Sequence, residues 1–546
     1  CIYKIYGFSI FPDEFSYWAY AAKAAGYDWS EVVSLGSFYS CGYSVLLFPI
    51  FRICDDALTA YRAAVALNFA MIAVGYWFLC RIWKPVMHDQ MEECQIYSAV
   101  AMLYPAVIFY AQTTMTETLL MLGYLLLLFL FQRYLQEQGY LGMILIFAVN
   151  VCMYLVHMRT IGIFAVCVCL LLFAEFHNDR DYRKILMIIL LTLVSLCAAA
   201  MLKKWTSSYL YQNVDQDLYA VNTYGGQLEK LKYIFSKHGI AAFVVGLCGK
   251  ILYMGIATYG MAYWGICFLI RHCCRGIRSK RGGIVEAFVL LTVLSQIVIS
   301  TVYNVIPDSY DSITFGRYHD HVMPVLIVAG SCEIASRKNI MKRYLWITGS
   351  LFLAFILIVR SYAAGLGLTE IKGYFMTGMS FFETRYFYMV SFLTGVLCMC
   401  CMALWFFSYV KSGSRQILFF CIVLQMLFIS RLENNYIEPF NRLAYQDIRM
   451  AQKIEGIVQG SAYQRPVIYI DYNDISAIGL MQFVLRDQTI RVIPENKCIS
   501  DETVDEKSIV LLGAGDPAWE KLQKRYGNEI IGGHFVLLYN DEETWE

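Results

Sequence analysis

Apolar stretches of bilayer length recur along this chain up to about residue 430, and that recurrence constrains its fold more than any other feature. Crossing a hydrocarbon core takes roughly 20 mostly apolar residues in a helix, because a helix satisfies its own backbone hydrogen bonds where water is absent. The pattern predicts about twelve spans, at 59–82, 95–111, 116–133, 141–157, 159–175, 185–203, 241–270, 284–303, 321–336, 344–361, 387–410 and 415–430. Of the 546 residues, 58% are apolar and 16% charged, against roughly 45–50% apolar in soluble domains. A soluble globular class is excluded.

Charge then orients the chain. Lys and Arg gather in alternate loops, among them Arg81 and Lys84, Arg133, Arg180 to Lys184, Arg271 to Arg281, Arg337 to Arg343, and Lys411 with Arg415. Such loops face the cytoplasm, which puts residues 1–58 and 431–546 outside. Twelve visible spans with an outside start imply a further helix ahead of Cys1. From Arg431 onward, 12 Lys+Arg face 19 Asp+Glu, a net −7, while the rest carries 32 against 24, a net +8. The acidic tail also alternates strand and helix signals, over Val467–Asp471, 475–485, Thr489–Ile493, Ile509–Leu512, 518–525 and His534–Tyr539. The expected organisation is a membrane domain at 1–430 and a small extracytoplasmic α/β domain at 431–546. The cysteines number 19, but most lie in apolar stretches and the tail holds only Cys498, so no disulfide framework is expected.

The residues with chemistry fall on the outer side. Pro12-Asp13-Glu14 opens a Tyr- and Trp-rich segment over 14–25 that suits a helix lying in the interface, with Gly26 as its stop. Asp13 reads either as a helix cap or as a general base, and Glu14 as a second acid that tunes it or helps to hold a divalent cation. Glu117, beside Thr113, Thr114 and Thr116, is a carboxylate at a span end, a dipole partner or a site residue. His157 and Arg159 share a short outer turn, where the arginine either anchors at the lipid rim or grips a phosphate with its planar fork. Arg317, Tyr318, His319, Asp320 and His321 crowd a second rim, where Arg317 and Tyr318 read either as rim anchors or as a further phosphate or sugar clamp. His319 and His321 are two apart and make a poor metal pair on a helix, so metal use stays open. Neither a Walker loop nor a dinucleotide fingerprint is present.

On these residues the chain resembles the polyprenyl-phosphate-sugar-dependent GT-C glycosyltransferases, a group that includes protein O-mannosyltransferases and lipid A aminoarabinose transferases. The resemblance rests on Pro12-Asp13-Glu14 with Tyr17, Tyr104-Pro105, Tyr110-Ala111, Thr116-Glu117, Arg159-Thr160 with Gly162, and Gly316-Arg317-Tyr318 with Pro324. It covers roughly residues 10–330 by spaced short motifs. It implies an α-helical polytopic GT-C fold in the cell membrane and inverting sugar transfer on the outer face, from a lipid-linked donor to a hydroxyl of a glycan, lipid or protein. Asp13 would take the proton, Glu14 and Glu117 would orient the acceptor or a cation, and Arg159, Arg317, Tyr318, His157 and His319 would hold the donor. No nucleic-acid partner is expected. The alternatives are a transporter or flippase of lipid-linked saccharides, or a surface-polysaccharide polymerase or ligase. A transporter places its charges near the midplane rather than at rims.

Overall fold

The computed structural model describes residues 5–8, 11–35, 40–87, 91–178, 181–211, 224–276, 283–307, 310–336, 341–368, 377–378, 422–460 apart from 424 and 428, 467–471, 474–493, 504 and 507–540. Its main helices are α1 (Asp13–Ala24), α2 (Ser44–Ile53), α3 (Ala57–Met87), α4 (Met91–Met102), α5 (Pro105–Ala111), α6 (Glu117–Glu137), α7 (Tyr140–Val156) and α8 (Ile161–Asn178). There follow α9 (Tyr182–Leu210), α10 (Lys237–Ala257), α11 (Met261–Gly276), α12 (Ile284–Tyr303), α13 (Met323–Ser336), α14 (Met341–Gly365), α15 (Glu438–Gly460) and α16 (Ile475–Val484).

Among the described residues, seven helices are long and apolar enough to cross a membrane, or up to eight when a bent pair counts as one span. The chain is therefore a multi-pass membrane protein, with fewer clear spans than the twelve expected. The stretches 141–157 and 321–336 become helices of 17 and 14 residues, short for a full crossing. The expected spans 387–410 and much of 415–430 lie outside the described residues. The stretch 241–270, read as one span, is two helices. They part at Thr258–Gly260, where Tyr259 and Gly260 have φ of 53° and 81°, a left-handed turn that a regular helix cannot contain.

The bent pair is α4 and α5, which meet at 60°. Proline at 105 drives Tyr104 out of the helical region, to φ −52° and ψ 129°. The bend leaves Thr113 to Thr116 as a short buried link into α6. Helix α1 runs as expected from the acidic pair to Ala24, and Gly26, at φ 97°, lies just past its end. Asp13 is the first helical residue of α1 rather than its cap, and no side chain caps that end.

The tail forms a five-stranded sheet in the order β2-β1-β3-β5-β4, with β1 Ile468–Asp471, β2 Ile490–Ile493, β3 Ile509–Gly513, β4 Asn528–Ile531 and β5 Phe535–Tyr539. β1 pairs in parallel with β2 and β3, and β5 is antiparallel to β3 and β4. Helix α16 makes the crossover from β1 to β2, as parallel pairing requires. Two elements escape the sequence pattern: the partly exposed strand β4 and the long helix α15, whose buried Ala444, Ile448, Ala451, Ile454 and Val458 recur at helical spacing.

The sheet does not hang free. Phe483 of α16 meets Phe8 at 4.8 Å and Trp18 at 4.9 Å between ring centres. Arg486 donates at 2.6 Å to the carbonyls of Phe51, Cys54 and Asp55, and its guanidinium lies 4.0 Å over the Phe51 ring. A cation satisfying the free carbonyls of a helix end is favourable both as a hydrogen-bond donor and as a partner of the helix dipole. The tail is thus pinned to the loop and helices that carry Asp13.

Candidate functional site

Four charged side chains from four separate segments form one buried chain. Asp13 Oδ2 accepts from Arg317 Nη2 at 2.7 Å, Arg317 Nε donates to Glu117 Oε1 at 2.8 Å, and Arg159 Nη2 donates to the same oxygen at 3.2 Å. Charges alternate along it, so two carboxylates and two guanidiniums cancel. The side chains of Glu117 and Arg159 are 2% exposed, that of Arg317 is 7%, and that of Asp13 is 14%. Burial of this kind is tolerable only where each ion faces an opposite one. Asp13, at the open end, is the most accessible of the four.

Local structure explains each placement. Glu117 is the first residue of α6, where the helix dipole favours a negative charge. Arg159 sits in the tight turn Met158–Thr160, capped by His157, whose Nδ1 accepts from the Arg159 backbone N–H at 3.3 Å. Tyr318 fills the space between them, its ring 5.5 Å from that of His157 and 4.5 Å beneath the Arg159 guanidinium. Phe11 supports Arg317 in the same way at 5.1 Å. Glu117 Oε2 and Arg159 Nε and Nη1 are buried without a hydrogen-bond partner among the described residues. The inner end of the chain therefore keeps spare donors and a spare acceptor.

Glu14 stands in a different setting from Asp13. It is fully buried and accepts from Tyr61 Oη at 2.6 Å and from Thr114 N and Oγ1, each at 2.7 Å. Trp18 Nε1 donates to the same threonine hydroxyl at 3.1 Å. This network ties α1 to α3 and to the link before α6, so Glu14 fixes the distance between Asp13 and Glu117.

A second polar cluster was read only in part from the sequence, as a crowded rim without its tyrosine partners. Asp320 accepts from Tyr104 Oη at 2.7 Å and from Tyr253 Oη at 2.8 and 3.1 Å. Burial pushes its carboxyl up to about 7, against the pull of those two hydroxyls. His319 packs on Tyr253 at 5.3 Å and His321 on Tyr124 at 6.1 Å, so the two imidazoles have different neighbours. Burial, reinforced by the charges of Lys250 and Arg159, holds His319 down at about 3 and keeps it neutral. Both rings lack hydrogen-bond partners among the described residues. Among the described residues, no group of three His, Cys, Asp or Glu side chains gathers to hold a metal ion. The partners of Asp320 are tyrosines in apolar stretches, which read as core.

No protein-family model matches the chain, and no curated protein does. Solved structures do. The crystal structure of ArnT from Cupriavidus metallidurans in the apo state aligns with 98% of this chain and 93% of its own, at TM-score 0.52 and 12% identity. The same protein bound to undecaprenyl phosphate aligns with 98% of this chain and 95% of its own, at TM-score 0.54 and 12% identity. Identity that low carries the architecture alone, and the architecture is the one the spaced motifs pointed to: the chain is a multi-pass membrane protein with the GT-C fold of ArnT.

Proposed function

We propose that the protein transfers a sugar from a polyprenyl-phosphate donor to an acceptor hydroxyl at the outer face of the membrane, with inversion. The observation that carries this reading is the buried chain Asp13–Arg317–Glu117–Arg159, in which a comparatively accessible carboxylate and two guanidiniums meet at the ends of membrane helices. The shared fold adds support, since one of the ArnT structures holds undecaprenyl phosphate.

The acceptor oxygen attacks the anomeric carbon, the bond from that carbon to the phosphate oxygen breaks, and the phosphate leaves with the electron pair. Asp13 takes the acceptor proton. Arg159 meets the charge that grows on the phosphate with its unpartnered N–H groups, and Arg317 adds the second cation; such preorganised charge is a large part of catalysis. Glu117 holds both guanidiniums in place, His157 and Tyr318 shape the turn around Arg159, and His319 offers a neutral ring to the sugar. Glu14 positions Asp13 through α1. A divalent cation bound by the carboxylates is compatible with the chemistry and is not required by it.

The test uses membranes containing the protein, a radiolabelled polyprenyl-phosphate sugar and an extract of envelope acceptors. Asp13→Asn is expected to lower transfer by about 10²–10⁴-fold, the usual worth of a general base, with the donor still bound. Unchanged transfer by that variant removes Asp13 as the base. Lipid-linked sugar that moves across the bilayer without being transferred replaces the enzyme by a flippase.

A further inference from the structure

Lys250 is a fully buried cation more than halfway along α10, a helix long and apolar enough to cross a membrane. It makes no ion pair among the described residues; its ammonium donates instead to the carbonyls of Ser312 at 2.7 Å and Ile313 at 2.9 Å. Those carbonyls belong to the short helix Tyr310–Thr314, whose last carbonyls have no partner within the helix itself. An ionisable side chain at membrane depth is costly and marks a functional position by default. None of the proposed chemical steps uses this one.

We infer that Lys250 is a positioning residue for Arg317, setting where that guanidinium stands between Asp13 and Glu117. Arg317 follows Ile313 by four residues. On its other side, Asp320 accepts from Tyr253 Oη, and the Gly316 carbonyl accepts from the N–H groups of His319 and Asp320 at 2.9 and 3.1 Å. Lys250 and Tyr253 are three residues apart on α10 and so share one face. A single helix therefore holds the segment on both sides of Arg317. Glycine permits the approach: a side chain on Gly249 would run into the Ile313 carbonyl, and one on Gly316 into the Tyr253 ring.

The hold matters because Arg317 is the shared member of the ion-pair chain, donating to Asp13 at 2.7 Å and to Glu117 at 2.8 Å. Two carboxylates on different helices pull on one guanidinium, so its place depends on how firmly its own backbone is fixed. A charged donor suits that task, since hydrogen bonds from an ionised group are roughly twice as strong as neutral ones. The inference rests on the proposed transfer, in which Arg317 supplies the second cation. The clamp on the segment can be read separately, from the backbone.

Hydrogen–deuterium exchange of the full chain in detergent, combined with transfer kinetics, tests this. In Lys250→Met the amides of residues 315–320 are expected to exchange about tenfold faster, as a locally loosened segment does, with α3 unchanged. Its kcat should fall about 10²-fold, the cost of a misplaced group, while the donor KM rises less than about threefold because Arg159 is untouched. In an Arg317→Gln background the same substitution should lower kcat less than about threefold, since residues that act as a unit are not additive. Unchanged exchange at 315–320 overturns the inference. So does an equal kcat loss with and without Arg317, the pattern of a merely structural lysine. A parent chain that transfers no sugar refutes the transfer reading, and the exchange rate then decides the clamp on its own. If Lys250→Met fails to accumulate, Gly249→Ala, which presses on the Ile313 carbonyl, replaces it with the same expected and overturning results.

Discussion

Arg317 serves two carboxylates at once, and its removal is expected to do more than weaken donor binding. Arg317→Ala breaks the ion pairs that Arg317 makes with Asp13 and with buried Glu117, so the folded state should lose about 3–5 kcal/mol, the usual effect of breaking a buried pair. Pairing it with Glu117→Gln should recover part of that loss, read as the melting temperature in detergent. Arg159→Ala should raise the KM for the lipid donor, with a smaller loss of stability because Glu117 keeps Arg317, and with Lys restoring only part because it lacks the planar fork. Equal donor KM in all three Arg159 versions would reduce the residue to a rim anchor. Asp13, Glu117, Arg159 and Arg317 were visible in the sequence because a charge at the end of an apolar span is rare enough to notice. Asp320 was noticed in the same crowded rim but its role was not, because its partners Tyr104 and Tyr253 stand 216 and 67 residues away. A tyrosine inside an apolar stretch gives no sign of what its hydroxyl meets.

Among the elements, backbone contact sets tight limits. A side chain on Gly265 would run into the Leu326 carbonyl, and one on Gly330 into the Met261 carbonyl, so α11 and α13 touch main chain to main chain. Small residues allow this approach in membrane bundles. Gly330→Val is expected to cost at least the roughly 1–3 kcal/mol of an overpacked core, measured by thermal denaturation in detergent. A variant as stable as the parent would mean that the two helices can part. Most helices were legible from apolar length, and the tail strands from their branched residues. The break at Thr258–Gly260 was not, because Tyr259 carries no turn signal of its own and the apolar run passes straight through it. β4 was missed because an edge strand with half-exposed residues shows no alternation to read.

For the whole molecule, the tail is the part least foreseen. It was legible as a separate acidic unit, and its composition gave no hint that Arg486 would close the end of α2 or that Phe483 would pack beside Trp18. Within the tail, His534 Nδ1 lies 2.6 Å from Asp447 Oδ2, and Asp447 Oδ1 also accepts from the backbone N–H groups of Gly533 and His534. The hydrogen bond to Asp447 raises the His534 pKa above its ordinary value despite partial burial. A raised histidine contributes its stabilisation in full below the unfolded value of about 6.5 and loses it as pH climbs through the folded value. The melting temperature of the full chain should therefore fall between pH 6 and 8.5, and His534→Gln should flatten that slope. An identical slope in both proteins would exclude the pair as its source.

The sharing of one guanidinium between Asp13 and Glu117 has a kinetic consequence. An incoming anion finds both arginines already neutralised, so docking is an exchange of counter-ions along a balanced chain and not the filling of a positive hole. Losses from single substitutions along that chain will not sum, because each one re-sorts the partners of the remaining three.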